Sequence, residues 1–172
     1  TLLGGDGNDV IHVRGTWDVT DAIDGGAGED TIVVDGSGDW TVADFGAANS
    51  VETINGRGNG INGTNADNSL DFSGTRLQNV SDIEGRGGDD VITGSDQGNR
   101  IDGGKGDDIL DGGAGVDSVS GGRGDDTATF VLGQGGGGER YDGGADTDIL
   151  HIAWGDPAEL SAAVVADLQA LQ

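Results

Sequence analysis

The sequence contains no cysteine, one proline and only eight lysines and arginines among its 172 residues. Without cysteine there can be no disulfide, no thiolate zinc site and no cysteine nucleophile. A single proline excludes a collagen triple helix, which needs abundant proline. So few basic side chains exclude a nucleic-acid-binding protein, because phosphate contacts need clustered lysine and arginine. No apolar run reaches the roughly 18 residues that a membrane-spanning helix needs.

What the chain has in abundance is glycine and aspartate. Glycine accounts for 37 residues, and 32 acidic side chains give a formal net charge of -24. Of these acids, 27 are aspartate and five are glutamate. A merely solvated acidic surface would use both residues, whereas aspartate beside glycine is typical of turns and of oxygen-ligand metal sites. Since only 33 % of the residues are hydrophobic, a thick conventional core is not expected.

The glycines and aspartates recur in a nine-residue unit, Gly-Gly-x-Gly-x-Asp-x-apolar-x. The unit is continuous over residues 85–129, which read GRGGDDVIT, GSDQGNRID, GGKGDDILD, GGAGVDSVS and GGRGDDTAT. It returns in degenerate form at 134–151, and an earlier array covers 4–12, 16–24 and 25–33. Two arrays in phase are a strong indication of a repeat architecture.

The stretch between the arrays is less regular. Residues 51–73 align with residues 80–102 at an offset of 29 residues at first and 31 later. We interpret the stretch as eroded copies of the repeat rather than a linker. The sequence therefore predicts one elongated repeat domain over 1–155, composed of a first array (1–33), degenerate repeats (34–84) and a main array (85–155).

The last residues have a different character. Asp156, Pro157 and Glu159 suit the N-cap, N1 and N3 positions of a helix. One apolar face follows, made of Leu160, Val164, Leu168 and Leu171. We predict a short α-helix over 156–172 that caps the domain, or the start of a truncated C-terminal region. Because the sequence begins inside a repeat, we also expect it to be a piece of a longer protein.

The eighth place of each unit is apolar, which predicts a very short strand with one inward side chain. These residues are Ile11, Ile23, Ile32, Leu70, Ile92, Ile101, Leu110, Val119, Ala128, Tyr141 and Leu150. One apolar residue in nine makes a thin, one-dimensional core. We predict an all-β parallel coil in which successive units form alternate sides, so that units two apart stack on the same side.

That stacking would bring the sixth-place side chains into rows. One row would hold Asp90, Asp108, Asp126 and Asp148, and the opposite row Asn99 and Asp117, with Glu139 as a weaker candidate. Near the start, Asp9 and Asp30 would share a side, with Asp21 opposite.

Such rows predict calcium. A thin core cannot by itself offset the conformational entropy of so many glycines and the repulsion of a charge of -24. Calcium accepts 6–8 oxygens from carboxylates and backbone carbonyls, whereas magnesium demands near-octahedral geometry and keeps its waters. We expect about five to eight calcium ions between stacked turns, with weaker or absent sites beside Asn99 and Glu139.

Over residues 1–151 the repeat resembles the RTX, or haemolysin-type calcium-binding, nonapeptide repeat of bacterial secreted proteins. The resemblance implies a calcium-stabilised parallel β-roll. It also implies carboxylate ligands at the matching aspartates, with carbonyl ligands from the neighbouring turn glycines. The candidate glycines are Gly4, Gly5, Gly7, Gly25, Gly26, Gly28, Gly85, Gly87, Gly103, Gly104, Gly106, Gly112, Gly113, Gly115, Gly121, Gly122, Gly124, Gly143 and Gly144.

The resemblance further implies export by type I secretion and folding outside the cell, where calcium is plentiful. Two functions follow. The first is a non-enzymatic structural or adhesive module of a larger secreted or cell-surface protein. The alternative is the C-terminal secretion and folding domain of an exported protease, lipase or polysaccharide-modifying enzyme. The expected partners are calcium and neighbouring modules of the parent protein, with a cell-surface glycan or self-association left open.

No catalytic residue is expected in the chain. His12 and His151 both fall at the ninth place of a unit, where a surface position is the simplest interpretation. Among the tryptophans, Trp40 and Trp154 are expected to pack against the core. Trp17 is the best candidate for an exposed aromatic, because it falls at a turn position.

Overall fold

The computed structural model describes residues 2–14, 22–132 and 138–154. In these ranges the chain is a parallel β-solenoid, which confirms the predicted fold class. The predicted helix at 156–172, Trp17 and the candidate ligand Asp21 lie outside the described residues.

Eighteen strands and one 3₁₀ turn (Ala47–Asn49) make up the regular structure of these ranges. The strands are β1 (Leu2–Asp6), β2 (Val10–Val13), β3 (Ile23–Ala27), β4 (Thr31–Val34), β5 (Trp40–Thr41), β6 (Asp44–Phe45), β7 (Thr53–Asn55), β8 (Ile61–Asn62), β9 (Ser69–Asp71), β10 (Arg76–Gln78), β11 (Ile83–Glu84), β12 (Val91–Thr93), β13 (Arg100–Lys105), β14 (Ile109–Asp111), β15 (Ser118–Arg123), β16 (Thr127–Leu132), β17 (Arg140–Ala145) and β18 (Ile149–Trp154).

The strands stack coil upon coil into four parallel sheets. Two sheets have six strands each, in the orders β5-β8-β11-β13-β15-β17 and β6-β9-β12-β14-β16-β18. A four-stranded sheet, β2-β4-β7-β10, and the pair β1-β3 belong to the first half of the chain. Each corner between consecutive strands of a coil therefore lies above the matching corner of the coil before it.

The number of strands per coil changes along the chain. Between β4 and β10 each coil has three strands, because two strands of other sheets separate β4 from β7 and β7 from β10. From β11 onwards each coil has two, and Ile101 pairs with Val119, 18 residues further on. A coil of the main array thus consists of two nonapeptides, so successive units do form alternate sides.

The degenerate segment stacks in a different register from the one that its sequence indicates. Ile61 pairs with Ile83 and Leu70 with Ile92, an offset of 22 residues rather than 29 to 31. The sequence alignment matches the Gly-Arg-Gly turns at 56–58 and 85–87. These turns follow β7 and β11, which belong to different sheets. The extra strand β10 places the two similar turns at different corners.

The predicted apolar column forms the core. Its members from Ile11 to Ala128 are buried, while Tyr141 and Leu150 are partly buried and pack against them. The three-stranded coils widen this core with aromatic rings. The ring centroid of Phe45 lies 6.0 Å from that of Trp40 and 5.1 Å from that of Phe72. The packing role predicted for Trp40 is confirmed.

Glycine allows the coils to approach closely at particular positions. Gly106 has a φ of +118°, and a Cβ there would collide with the carbonyl oxygen of Gly88 in the preceding coil. Gly58 also has a positive φ, +91°, but a Cβ there would have no atom within 4 Å. The two glycines therefore separate the effect of backbone conformation from that of close packing.

Replacing Gly106 with alanine should destabilise the fold more than replacing Gly58. Both variants incur the left-handed backbone penalty of about 1–2 kcal/mol. Gly106→Ala also forces two coils apart, and overpacking adds roughly 1–3 kcal/mol. Thermal unfolding of both variants in saturating calcium measures the difference, and equal losses would show that the coils are not this close at Gly106.

Candidate metal centre

The sixth-place side chains of the main array form a hydrogen-bonded row, as the spacing predicts. The backbone N–H of Asp90 donates to Oδ1 of Asp108 at 2.8 Å, and the N–H of Asp108 donates to Oδ1 of Asp126 at 2.9 Å. The N–H of Asp126 donates in turn to Oδ1 of Asp148 at 3.1 Å. The row begins one coil earlier, where the N–H of Asn68 donates to Asp90 at 2.7 Å. One oxygen of each carboxylate thus ties its coil to the one before.

The second oxygen of these carboxylates has no partner. Oδ2 of Asp90, Asp108 and Asp126 is buried without a hydrogen bond. A Cβ on Gly103 would meet Oδ2 of Asp108 on one side and the carbonyl oxygen of Gly121 on the other. Because an unpartnered buried carboxylate oxygen is costly, this space suits a hard cation, which binds carboxylate and carbonyl oxygens.

Burial changes the acidity of the same carboxylates. Burial raises the pKa of Asp108 to about 7; the hydrogen bond from Asp90 opposes the rise, and the charges of Asp90 and Asp126 add to it. Burial likewise raises the pKa of Asp90 to about 6, and that of Asp117 to about 6. Without a cation, the folded chain therefore holds these groups ionised only at a cost in free energy.

The opposite row is less uniform. The N–H of Asn99 donates to Oδ1 of Asp117 at 2.8 Å, and Glu139 lies buried at the matching position of the next coil. The Oδ1 atom of Asn99 accepts the N–H of Ser95 at 2.7 Å. The oxygen that Asn99 could offer to an ion is therefore already hydrogen-bonded.

The row near the start has a member that the repeat pattern misses. The N–H of Asp9 donates to Oδ1 of Asp30 at 2.7 Å, and Oδ2 of both residues is buried without a partner. The N–H of Asp30 donates to Oε2 of Glu52 at 2.7 Å. No sequence signal marks Glu52, because the nine-residue phase is lost between the arrays.

A second, exposed row runs beside the buried one. The N–H of Asp107 donates to Oδ1 of Asp89, and the N–H of Asp125 donates to Oδ1 of Asp107, both at 2.9 Å. These fifth-place carboxylates accept from the following coil, whereas the sixth-place carboxylates accept from the preceding one. The Asp-Asp pairs in the sequence are the signal that could have revealed this row.

The candidate glycines divide into two groups by position. The carbonyl oxygens of first-place glycines, such as Gly103, Gly121 and Gly143, face the first-place glycine of the preceding coil. Second-place and fourth-place glycines, such as Gly104 and Gly106, lie against the backbone of the preceding coil instead. The first-place carbonyls are therefore the ones that the structure brings to the buried carboxylate oxygens.

The two histidines lie on the surface, as expected. His12 places Nδ1 2.9 Å from Oδ2 of Asp35, and His151 is exposed on β18. In the ranges that the structure describes, no three metal-binding side chains converge on one point. No described helix is long and apolar enough to cross a membrane. The acidic side chains are thus spread along rows rather than gathered in one cluster.

Comparison with known proteins bears on both arrays. The family model of the RTX calcium-binding nonapeptide repeat, a model of four copies, matches residues 1–19, 82–104 and 93–128. No curated protein and no solved structure matches the chain significantly. The chain therefore carries RTX calcium-binding nonapeptide repeats in two stretches, and the described residues of those stretches form a parallel β-roll.

Proposed function

We propose that the chain is a structural or adhesive module of a larger secreted or cell-surface bacterial protein, and that its own chemistry is calcium binding between stacked turns. RTX repeats bind calcium, and the β-roll is a structural calcium-binding module rather than a catalytic fold. The observation that carries the proposal is the row of buried, unpartnered Oδ2 atoms at Asp90, Asp108 and Asp126. Each lies beside a glycine of its own turn, close to a carbonyl oxygen of the next coil.

The strongest sites would lie along this row, with first-place glycine carbonyls as additional ligands. Asp9 and Asp30 would hold an ion in the same way, since their Oδ2 atoms are also without partners. A site between Asn99 and Asp117 would be weaker, because Asn99 already accepts the N–H of Ser95. We keep the number of ions at about five to eight.

Calcium would then act as the folding signal. Extracellular calcium modules bind at about 10⁻⁴–10⁻³ M, so such sites are empty in a cytosol that is low in calcium. Because the unfolded chain holds no preformed site, the free energy of calcium binding becomes free energy of folding. The RTX family is typical of secreted bacterial proteins, and a chain that folds only outside the cell suits export in an unfolded state.

Calcium should convert the isolated chain from coil to β-structure. Far-UV circular dichroism in EDTA should show little β-structure, and a calcium titration should give a cooperative transition that magnesium does not reproduce. A chain already rich in β-structure in EDTA would show that the apolar column suffices, and calcium would become an accessory ligand.

Replacing Asp108 should weaken two calcium sites, because it lies between Asp90 and Asp126. Asp108→Asn keeps an oxygen that can accept the N–H of Asp90 but removes the charge and the free oxygen. Its neighbour Asp107 is exposed and belongs to the outer row, so Asp107→Asn is a matched control with the same change of charge. Calorimetry should show fewer bound ions or a higher calcium midpoint for Asp108→Asn alone. Equal effects of both variants would contradict the assignment of Asp108.

Lowering the pH should weaken calcium binding. The pKa of Asp108 is raised by burial to about 7 in the calcium-free fold, and that of Asp90 to about 6. Raised acidic pKa values penalise the calcium-free fold above these pH values, and the penalty disappears as the pH falls through them. Protons and calcium therefore compete for the same carboxylates. The calcium midpoint followed by circular dichroism should rise between about pH 7.5 and 5.5, and a midpoint independent of pH would contradict this coupling.

A further inference from the structure

We infer that the turn at residues 46–52, which lacks the nonapeptide, completes one further calcium site with Asp30. This inference rests on the proposed function, calcium held between stacked turns. It adds ligands, Ser50 and Glu52, from a segment that the RTX family model does not match.

Glu52 occupies the position of a sixth-place aspartate. Its Oε2 accepts the N–H of Asp30 at 2.7 Å, just as Oδ1 of Asp30 accepts the N–H of Asp9 at 2.7 Å. The register agrees, because Thr31 and Thr53, which follow Asp30 and Glu52, pair in neighbouring strands. Glu52 therefore extends the row by one coil.

Ser50 occupies the position of a first-place glycine. A Cβ on Gly25 would lie between Oδ2 of Asp30 and the carbonyl oxygen of Ser50. Gly103 has the same relation to Asp108 and to the carbonyl of Gly121. Ser50 adopts left-handed backbone angles, φ 47° and ψ 54°, at the end of the 3₁₀ turn. The Nδ2 group of Asn49 fixes this turn on β3 by donating to the carbonyl of Ile23 at 2.8 Å.

The spacing explains why the acid is a glutamate. In the nonapeptide, five positions separate the first-place glycine from the sixth-place aspartate, as from Gly25 to Asp30. Only two positions separate Ser50 from Glu52. The turn is three residues shorter, and the extra methylene of glutamate brings its carboxylate to the N–H of Asp30.

The oxygens that meet here suit calcium. Asp30 is only 1 % exposed, and its Oδ2 has no hydrogen bond. It lies close to the carbonyl of Ser50, and the Glu52 carboxylate joins from the same coil. Two carboxylates and a carbonyl are ligands that calcium prefers. The row ends at the next coil, where the matching residue is Thr75, whose hydroxyl donates to the carbonyl of Val51 at 3.1 Å.

Calorimetric titration of the full chain with calcium tests this site. Glu52→Gln keeps an oxygen for the N–H of Asp30 but loses the charge, and it should bind one ion fewer than the wild type. Glu84→Gln is the matched control, because Glu84 is exposed on β11 and makes the same change of charge; it should bind the wild-type number. Circular dichroism in saturating calcium should show the same β-structure for all three proteins, because the remaining sites are intact.

Glu52→Asp decides the matter if Glu52→Gln folds poorly. It keeps the charge but shortens the side chain by one methylene, and it should weaken one site by about tenfold as the ligand loses its reach. Wild-type stoichiometry and affinities in Glu52→Asp and Glu52→Gln, or an equal loss in Glu84→Gln, would overturn the inference while leaving the proposed function intact. A wild-type chain that binds no calcium would instead overturn the proposed function.

Discussion

The fold depends on placing one buried carboxylate directly above another at every repeat of a coil corner. Neighbouring strands lie about 4.8 Å apart, and two like charges at about 5 Å repel by roughly 3 kcal/mol at an effective dielectric constant of 20. The ladder of N–H donors satisfies one oxygen of each aspartate, as between Asp90 and Asp108. The other oxygen stays buried and unpartnered. The residues that hold the coils in register are therefore also the ones that need a counter-charge.

The two parts of the solenoid meet this constraint differently. In the three-stranded coils, Trp40, Phe45 and Phe72 add ring contacts to the apolar column. In the two-stranded coils, residues such as Leu110 and Ala128 form a column one side chain wide. The main array thus has less apolar burial for each buried carboxylate, and its stability depends more on a cation than that of the middle segment.

The sequence predicts well whatever depends on the nine-residue phase. The phase determines which residue points inward and which aspartates stack, so the column and the rows follow from letters alone. It fails where the turn changes length. Glu52 belongs to the row through a turn three residues shorter, which no spacing rule reveals. The Gly-Arg-Gly turns around Arg57 and Arg86 look alike but occupy different corners, because β10 adds a third strand that the sequence does not announce.

The two-unit coil also constrains how such a gene can change in length. Removing one nonapeptide from the main array would move every later turn to the opposite corner, so that Asp126 would stack above Asp117 instead of Asp108. Removing two would leave the rows intact. The four residues that separate the units ending at Thr129 and starting at Gln134 lengthen a coil without changing its corners, since Val119 still pairs with Tyr141. Recombination can therefore exchange repeats without loss of the fold only in pairs, or add residues at a corner between strands.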